Sequence, residues 1–299
     1  MTYTDSINRE IEIPNAPQRI ISLVPSLTEL LHDMSLEPQI LGVTKYCVHP
    51  IHYRITKTLV GGTKKVKYKE ISALNPDFIL CSKEENTPEM LAELEKIAPV
   101  YVSDVNSFEE ALDLIKKLGI ILNRRTEANH IIDRINFKYN EFRASIKDKE
   151  IIRVAYFIWA DPLMVAGSNT FINDMLRICK FENGYANKKE RYPVIKPKRM
   201  HVLANPKLLL FSSEPHDFTD EEVYDVLRST KKTLTMYVDG EYFAWYGSRL
   251  VKAFEHFKQI RQKVDAYFAF EKAGNDYYDE HHKPNHHQKI LSVKKVEKK

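Results

Sequence analysis

The chain has 299 residues but only nine glycines, and none falls in a G-x-G-x-x-G, a P-loop or a G-x-S-x-G pattern. That absence removes the Gly-rich phosphate cradles and the nucleophile elbow of α/β-hydrolases. There is no H-E-x-x-H and no C-x-x-C, so the common zinc-protease and dithiol signatures are missing too. Only three cysteines occur, Cys47, Cys81 and Cys179, odd in number and far apart. They make no disulfide framework, and a reducing compartment is expected. No apolar run approaches the ~20 residues that a membrane-spanning helix needs. The first twenty residues, MTYTDSINREIEIPNAPQRI, lack a basic start, an apolar stretch and a small-residue cleavage site. A cytoplasmic place is therefore expected, with a periplasmic one if the true start lies elsewhere. With every common catalytic signature gone, binding becomes the leading function class and no catalytic residue is assigned.

Charge of one sign is scarce on the body. The formal net charge is +4, yet residues 283–299 alone hold six lysines against one acid, Glu297, which leaves the rest of the chain close to neutral. A nucleic-acid binder would carry its basic charge on a folded face, so nucleic acid is discounted as a partner.

What is present is an internal echo. NPDFILCSKE (Asn75–Glu84) aligns without a gap to NPKLLLFSSE (Asn205–Glu214). Each is Asn-Pro, a continuous apolar run, then Ser-x-Glu, which suits a strand buried on both faces of a parallel sheet. VYVSD and TMYVDG follow as a second pair of strands. An offset of 130 residues is too long for a solenoid repeat and predicts two similar lobes.

Strand and helix patterns alternate in both. RIISLV and ILGVT read as strands. SLTELLHDM reads as a helix with a capping box, Ser26 and Glu29, and SFEEALDLIKKLG as one with Ser107 and Glu110 that stops at Gly119. TDEEVYDVL carries a third box, Thr219 and Glu222. Roughly Arg125–Lys147 has Ile131, Ile135 and Phe142 on one face and no Gly or Pro, which predicts one long stiff helix between the lobes. The fold class is thus α/β. The expected organisation is an N-terminal lobe over 1–122, a connecting helix over 123–149, a C-terminal lobe over 150–268 and a disordered His/Lys-rich tail over 269–299.

Ligands bind outside the carboxyl ends of strands in open parallel sheets. Five such stretches are rich in aromatic, charged or soft-ligand residues: VPSLTE, KYCVHP, SKEEN, FIWADP and EYFAWYGSR. They nominate Ser26, Tyr46, Cys47, His49, Lys83, Glu84, Trp159, Tyr242, Phe243, Trp245 and Arg249 as ligand contacts. Both tryptophans of the chain are among them. Aromatic walls suit a large planar or apolar ligand, and Lys83 and Arg249 could meet carboxylates on it. Cys47 and His49, two apart beyond a strand, would offer a thiol and an imidazole on one side, a set for Zn, Cu, Fe or Co. Equally, Cys47 could be a small buried filler and His49 a turn residue before Pro50. In the tail, His281, His282, His286 and His287 could gather a metal weakly, and no site is assigned to them.

PQRIISLVPSLTELL, VGGTKKVKYKEISALNPDFIL, FIWADPLMVAGSNTFINDML and RYP together resemble the helical-backbone periplasmic binding proteins for cobalamin and iron–siderophore chelates, over residues 14–260. The resemblance implies two Rossmann-like lobes joined by a rigid helix, with a cobalamin or another metal chelate held in a cleft between them. It places Trp159, Tyr242 and Phe243 at or beside the aromatic walls. The YC-x-HP stretch looks like that of a helical-backbone metal-receptor branch, in which Cys47 and His49 would be metal contacts. It also implies an ABC permease partner docked through an acid on each lobe. Glu70 matches the first position, whereas VIKPKRMHV puts Lys196, Lys198 and Arg199 at the second, a charge of the wrong sign for that dock.

Three readings compete. The first is non-catalytic binding of a metal chelate or corrinoid, in an importer or in cytosolic trafficking. The second is a tetrapyrrole chelatase, with Cys47 or His49 taking the metal, Glu84 or Glu85 accepting protons, and His216 with Glu214 as a partner pair. The third is an interaction module with an empty cleft.

Overall fold

The structure is a computed structural model that describes residues 1–230, 233–278 and 290–292. It contains two units: Met1–Phe137 with Trp245–Val251, and Lys138–Ala244 with the chain from Lys252 onward.

The first unit opens with an antiparallel hairpin, β1 (Thr2–Thr4) and β2 (Glu10–Glu12). Five parallel strands follow, β3 (Ile20–Ser22), β4 (Ile40–Val43), β5 (Thr58–Leu59), β6 (Phe78–Ser82) and β7 (Val100–Ser103), in the order β5-β4-β3-β6-β7. Between them run α1 (Pro25–Asp33), α2 (Tyr53–Thr56), α3 (Tyr68–Ala73) and α4 (Pro88–Leu94), and α5 (Phe108–Ile121) comes after β7. All five residues of β6 are buried. Alternation sends Ile79 and Cys81 into one core with Ile21, Leu23, Met90 and Leu94. Phe78 lies on the other side of the pleat, its ring 6.5 Å from that of Tyr101.

The chain passes into the second unit within α6 (Arg125–Ser145), whose Ile131, Ile135 and Phe142 are buried along one stripe, as the periodicity predicts. The second sheet holds β8 (Ile152–Trp159), the short β9 (Met164–Val165) antiparallel to it, β10 (Phe181–Asn183), β11 (Leu208–Ser212), β12 (Leu234–Val238) and β13 (Ile290–Ser292). Its order is β10-β8-β11-β12-β13, parallel throughout that path. The helices are α7 (Phe171–Ile178), α8 (Met200–Leu203), α9 (Asp220–Arg228), α10 (Gly240–Ala244) and α11 (Leu250–Tyr278). Ala155, Phe157, Leu209 and Phe211 form the centre of one face, with the Phe157 and Phe211 rings stacked at 4.4 Å.

The echo read in the sequence is an echo in the backbone. Asn75 and Asn205 both adopt the left-handed region, at φ 44° and 43°, which Asn tolerates better than other side chains. Each is followed by a fully buried central strand, β6 or β11, flanked on both sides by parallel neighbours. At the carboxyl ends Ser82 Oγ accepts the Glu84 N–H at 3.2 Å, and Ser212 Oγ accepts the Glu214 N–H at 3.1 Å.

Several local expectations are corrected. Ser26 and Glu29 form no capping box: α1 begins at Pro25, its N-cap is Val24 with no side-chain bond, and both residues are buried. A proline at the first helical position needs no N–H partner there. Ser107 does cap α5 by accepting the Glu110 N–H, but the Glu110 carboxylate receives the Asn106 N–H. Gly119 does not end α5, which continues through Ile121. A Cβ at Gly119 would meet Ala128 Cβ at 2.5 Å, so this glycine serves close helix approach. The tail expected over 269–299 is in part ordered. The helix α11 persists to Tyr278, with the Tyr267 hydroxyl donating to Glu271 at 2.6 Å across one turn, and β13 adds a parallel strand beside β12. His281, His282, His286 and His287 lie outside the described residues.

Gly240, at the turn after β12, would place a Cβ 2.2 Å from Ser212 Oγ and 2.9 Å from the Glu214 backbone. A Gly240→Ala variant is expected to lose about 1–3 kcal/mol from the overpacking, read as a lower urea midpoint with an unchanged slope.

Candidate functional site

The carboxyl ends of the parallel strands gather most of the nominated residues, in two separate groups. In the first unit, β4 ends at Val43 and Tyr46–His49 lie in a turn rather than a strand. The alternation that would aim Cys47 and His49 at one point therefore does not operate. Cys47 is fully buried, with Sγ 3.1 Å from Thr28 Oγ1 and 3.3 Å from Thr44 Oγ1. Burial pushes this thiol up, against the opposing pull of those hydroxyls, so it stays protonated. His49 is half-buried, its ring edge-on to Trp245 at 5.6 Å. The thiol and the imidazole thus have different partners. Among the described residues no three His, Cys, Asp or Glu side chains form a group that could hold a metal ion.

Trp245 and Arg249 follow the second unit in sequence but belong to the first. The Arg249 guanidinium meets the Glu29 carboxylate through two bonds, Nε to Oε2 at 2.8 Å and Nη2 to Oε1 at 3.0 Å, with both side chains nearly inaccessible. It also lies 4.9 Å over the Trp245 ring. Beside them the Tyr246 hydroxyl is 3.1 Å from Ser103 Oγ and donates to Ser82 Oγ at 3.4 Å, and burial raises this phenol. Gly247, at φ 120°, makes the turn that brings the segment within reach of Leu30 and the Ser26 carbonyl. Arg249 and Trp245 are each 5% exposed. The carboxylate that Arg249 meets in the structure is that of Glu29.

The other first-unit candidates lie nearer solvent. Tyr46 is exposed, with Lys45 Nζ 4.9 Å from its ring centre. Lys83 is exposed and bound to Asp104 at 2.6 Å, and the Glu84 carbonyl accepts from Lys64 at the same distance. Ser26 is buried at the start of α1. Glu70 is exposed in the first turn of α3, 3.9 Å from Lys67.

In the second unit β8 ends on Trp159, which is 41% exposed. Its indole Nε1 donates to the Asp161 carbonyl at 2.8 Å, which fixes the ring, and the ring centre is 5.2 Å from that of His216. His216 lies beyond β11, edge-on to Phe218 at 4.9 Å, with Nε2 3.0 and 3.1 Å from the two Glu222 carboxylate oxygens. Glu222 is also the third residue of a complete capping box with Thr219. The Thr219 backbone N–H, and then the His216 ring, hold this carboxyl below its usual range. Phe243 is core, between Tyr156 at 5.1 Å and Phe257 at 4.7 Å. Tyr242 is half-buried, 4.6 Å from His256, whose pKa burial lowers to about 4, leaving that ring neutral.

Three participants escaped the sequence reading. Glu29 and Glu222 read from sequence as caps alone, and Tyr246 carries no signal beside Trp245. Capping motifs are local signals; the partners of Glu29 and Tyr246 stand 220 and 143 residues away, beyond any spacing rule. The carboxylate partner of His216 is Glu222, not the expected Glu214.

Replacing Glu29 by Ala leaves a buried guanidinium and is expected to destabilise the fold by about 3–5 kcal/mol, with much of the loss recovered in a Glu29→Leu, Arg249→Met pair; urea denaturation measures both. All three cysteines are buried and burial raises each thiol. Native protein at pH 8 should therefore resist alkylation at every cysteine, and full labelling should require denaturant, read by intact mass.

A family model described as periplasmic binding protein matches residues 20–233. An uncharacterized ABC transporter substrate-binding lipoprotein of Bacillus subtilis, YvrC, is 25% identical over 195 residues, 62% of this chain and 62% of its own length. The chain thus spans less than two thirds of that relative. The vitamin B12-binding protein of Yersinia pseudotuberculosis is 23% identical over 198 residues, 66% of this chain and 70% of that one. The solved structure of the petrobactin-binding protein YclQ of Bacillus subtilis superimposes with a TM-score of 0.72 at 14% identity, covering 87% of this chain and 97% of that chain. A lipoprotein among the relatives gives the expected cytoplasmic place no support, and no described helix is long and apolar enough to cross a membrane. With the duplicated parallel-sheet fold and the match over residues 20–233, the chain belongs to the periplasmic binding protein family.

Proposed function

We propose that this protein binds a metal chelate or corrinoid, with cobalamin as the leading example, and releases it unchanged. The observation that carries this reading is the Trp159–His216–Glu222 arrangement at the carboxyl end of the second sheet: an indole that stays 41% exposed although its N–H is satisfied, beside an imidazole oriented by a carboxylate. A flat aromatic face left open at that end of a parallel sheet suits a macrocycle. A ring nitrogen held by a carboxylate is the arrangement that orients a metal-ligating imidazole. The vitamin B12-binding relative supports the corrinoid class, and membership of a family of binding proteins supports the absence of chemistry.

In this reading Trp159 and Tyr242 form the aromatic contact in the second unit, and Tyr46 and His49 provide a further one in the first. Lys83 and Glu84 are the exposed polar candidates of that unit. Ser26, Cys47, Phe243, Trp245 and Arg249 support these positions from within rather than touching the ligand, since each is buried. Glu70 is the candidate dock for an ABC permease, the partner class suggested by the substrate-binding relative. The chelatase alternative is weaker, because His216 pairs with the capping carboxylate of Glu222 and not with Glu214 as that reading requires, and the family is one of binding proteins.

The chain's two tryptophans allow a direct test. In a Trp245→Phe variant only Trp159 emits, and adding hydroxocobalamin, haem or a ferric catecholate should quench it with a dissociation constant of about 1 μM or below, with Trp159→Ala weakening binding about tenfold. No quenching and no shift in melting temperature across the three ligands would overturn the reading.

A further inference from the structure

The second unit carries a surface that chelate binding does not use. Between Lys188 and Leu203 stand six basic residues and one acid, Glu190. Lys196, Lys198 and Arg199 are all exposed. Among them three apolar side chains also face solvent: Val194 at 62%, Val202 at 85% and Leu203 at 49%. The local fold explains this exposure. A tight turn over Pro197–Arg199 runs directly into α8, and Met200 and Ala204 take the core-facing positions. Lys198 then stands four residues before Val202, and Arg199 four before Leu203. Exposed cations and exposed apolar side chains thus alternate along this short segment.

Charge alone would recognise any acidic partner, and apolar exposure alone would suit any hydrophobic groove. Interleaving the two is the chemistry of the lipid interface, where apolar side chains enter the acyl boundary while Lys and Arg meet anionic head groups. We propose that this face docks the protein on the surface of an anionic bilayer. Charge complementarity selects the occupant. The reversed sign at Lys196, Lys198 and Arg199 forbids the acid-to-base dock implied for this lobe and favours a negatively charged surface. The Lys-rich sequence after Ser292 has the same sign and follows a strand paired to this unit's sheet. Docking here is peripheral and independent of whether Trp159 and His216 hold a chelate.

Co-sedimentation of the full chain with vesicles tests the proposal. Binding is expected with about 30% phosphatidylglycerol in phosphatidylcholine and at least about fivefold weaker with phosphatidylcholine alone. It should fall steeply when salt is raised from about 0.1 to 0.5 M. A Lys196→Glu, Lys198→Glu, Arg199→Glu variant should bind about tenfold more weakly at low salt, and Val202→Ser with Leu203→Ser should weaken binding even at high salt. Thermal melting confirms that the variants, all at exposed positions, remain folded. Equal binding to neutral vesicles, or unchanged binding by both variants, overturns the proposal. So does loss only when Lys294, Lys295, Lys298 and Lys299 are replaced by Ser, which would assign binding to the tail. Retention on polyglutamate without retention on vesicles would assign the face to an acidic protein instead.

Discussion

A strand buried on both faces of a parallel sheet must be apolar along its length, because any polar side chain there would lack water and a partner. The strands β6 and β11 obey this for four residues each, and turn polar only at their last serines. Everything chemical in the protein is displaced to that boundary. The hydroxyls of Ser82 and Ser212 receive the backbone of the following turn, and each also accepts from a buried tyrosine, Tyr246 in one unit and Tyr156 in the other. The duplicated Asn-Pro entry, apolar run and serine exit are the same solution to one constraint, reached twice.

The two units diverge in what they do beyond the serine. In the first, the segment Trp245–Val251 covers the strand ends with Tyr246, Trp245 and the Glu29–Arg249 pair, so polar groups there are consumed by one another. In the second, Tyr156 comes from the sheet itself and Trp159 is left at the surface with His216 beside it. A ligand gains more from an indole still in contact with water than from one already desolvated, because only the first has apolar area left to bury. That difference is why the functional reading rests on the second unit.

The last helix shows the same economy. The guanidinium of Arg249, just before it, pairs with Glu29 over Trp245 in the first unit. Arg261, within it, bonds to the Glu150 carbonyl and Asp265 over Phe181 in the second. Each of these two buried cations lies over an aromatic ring and pairs with an acid of its own unit.

By itself the sequence determined the elements whose signals are local: the apolar strands of the echo, the long α6 with its Ile131–Ile135–Phe142 stripe, the Thr219–Glu222 cap and the duplication. It also pointed to the strand ends, where most candidate residues lie. Only tertiary structure decided which of these face outward. Cys47, Phe243, Trp245 and Arg249 read as ligand groups because residue type and position recommended them, but burial is a property of what comes to lie over a residue. For Arg249 the answer was a glutamate 220 residues away, a pairing that no periodicity records because it is made by chain return and not by chain direction.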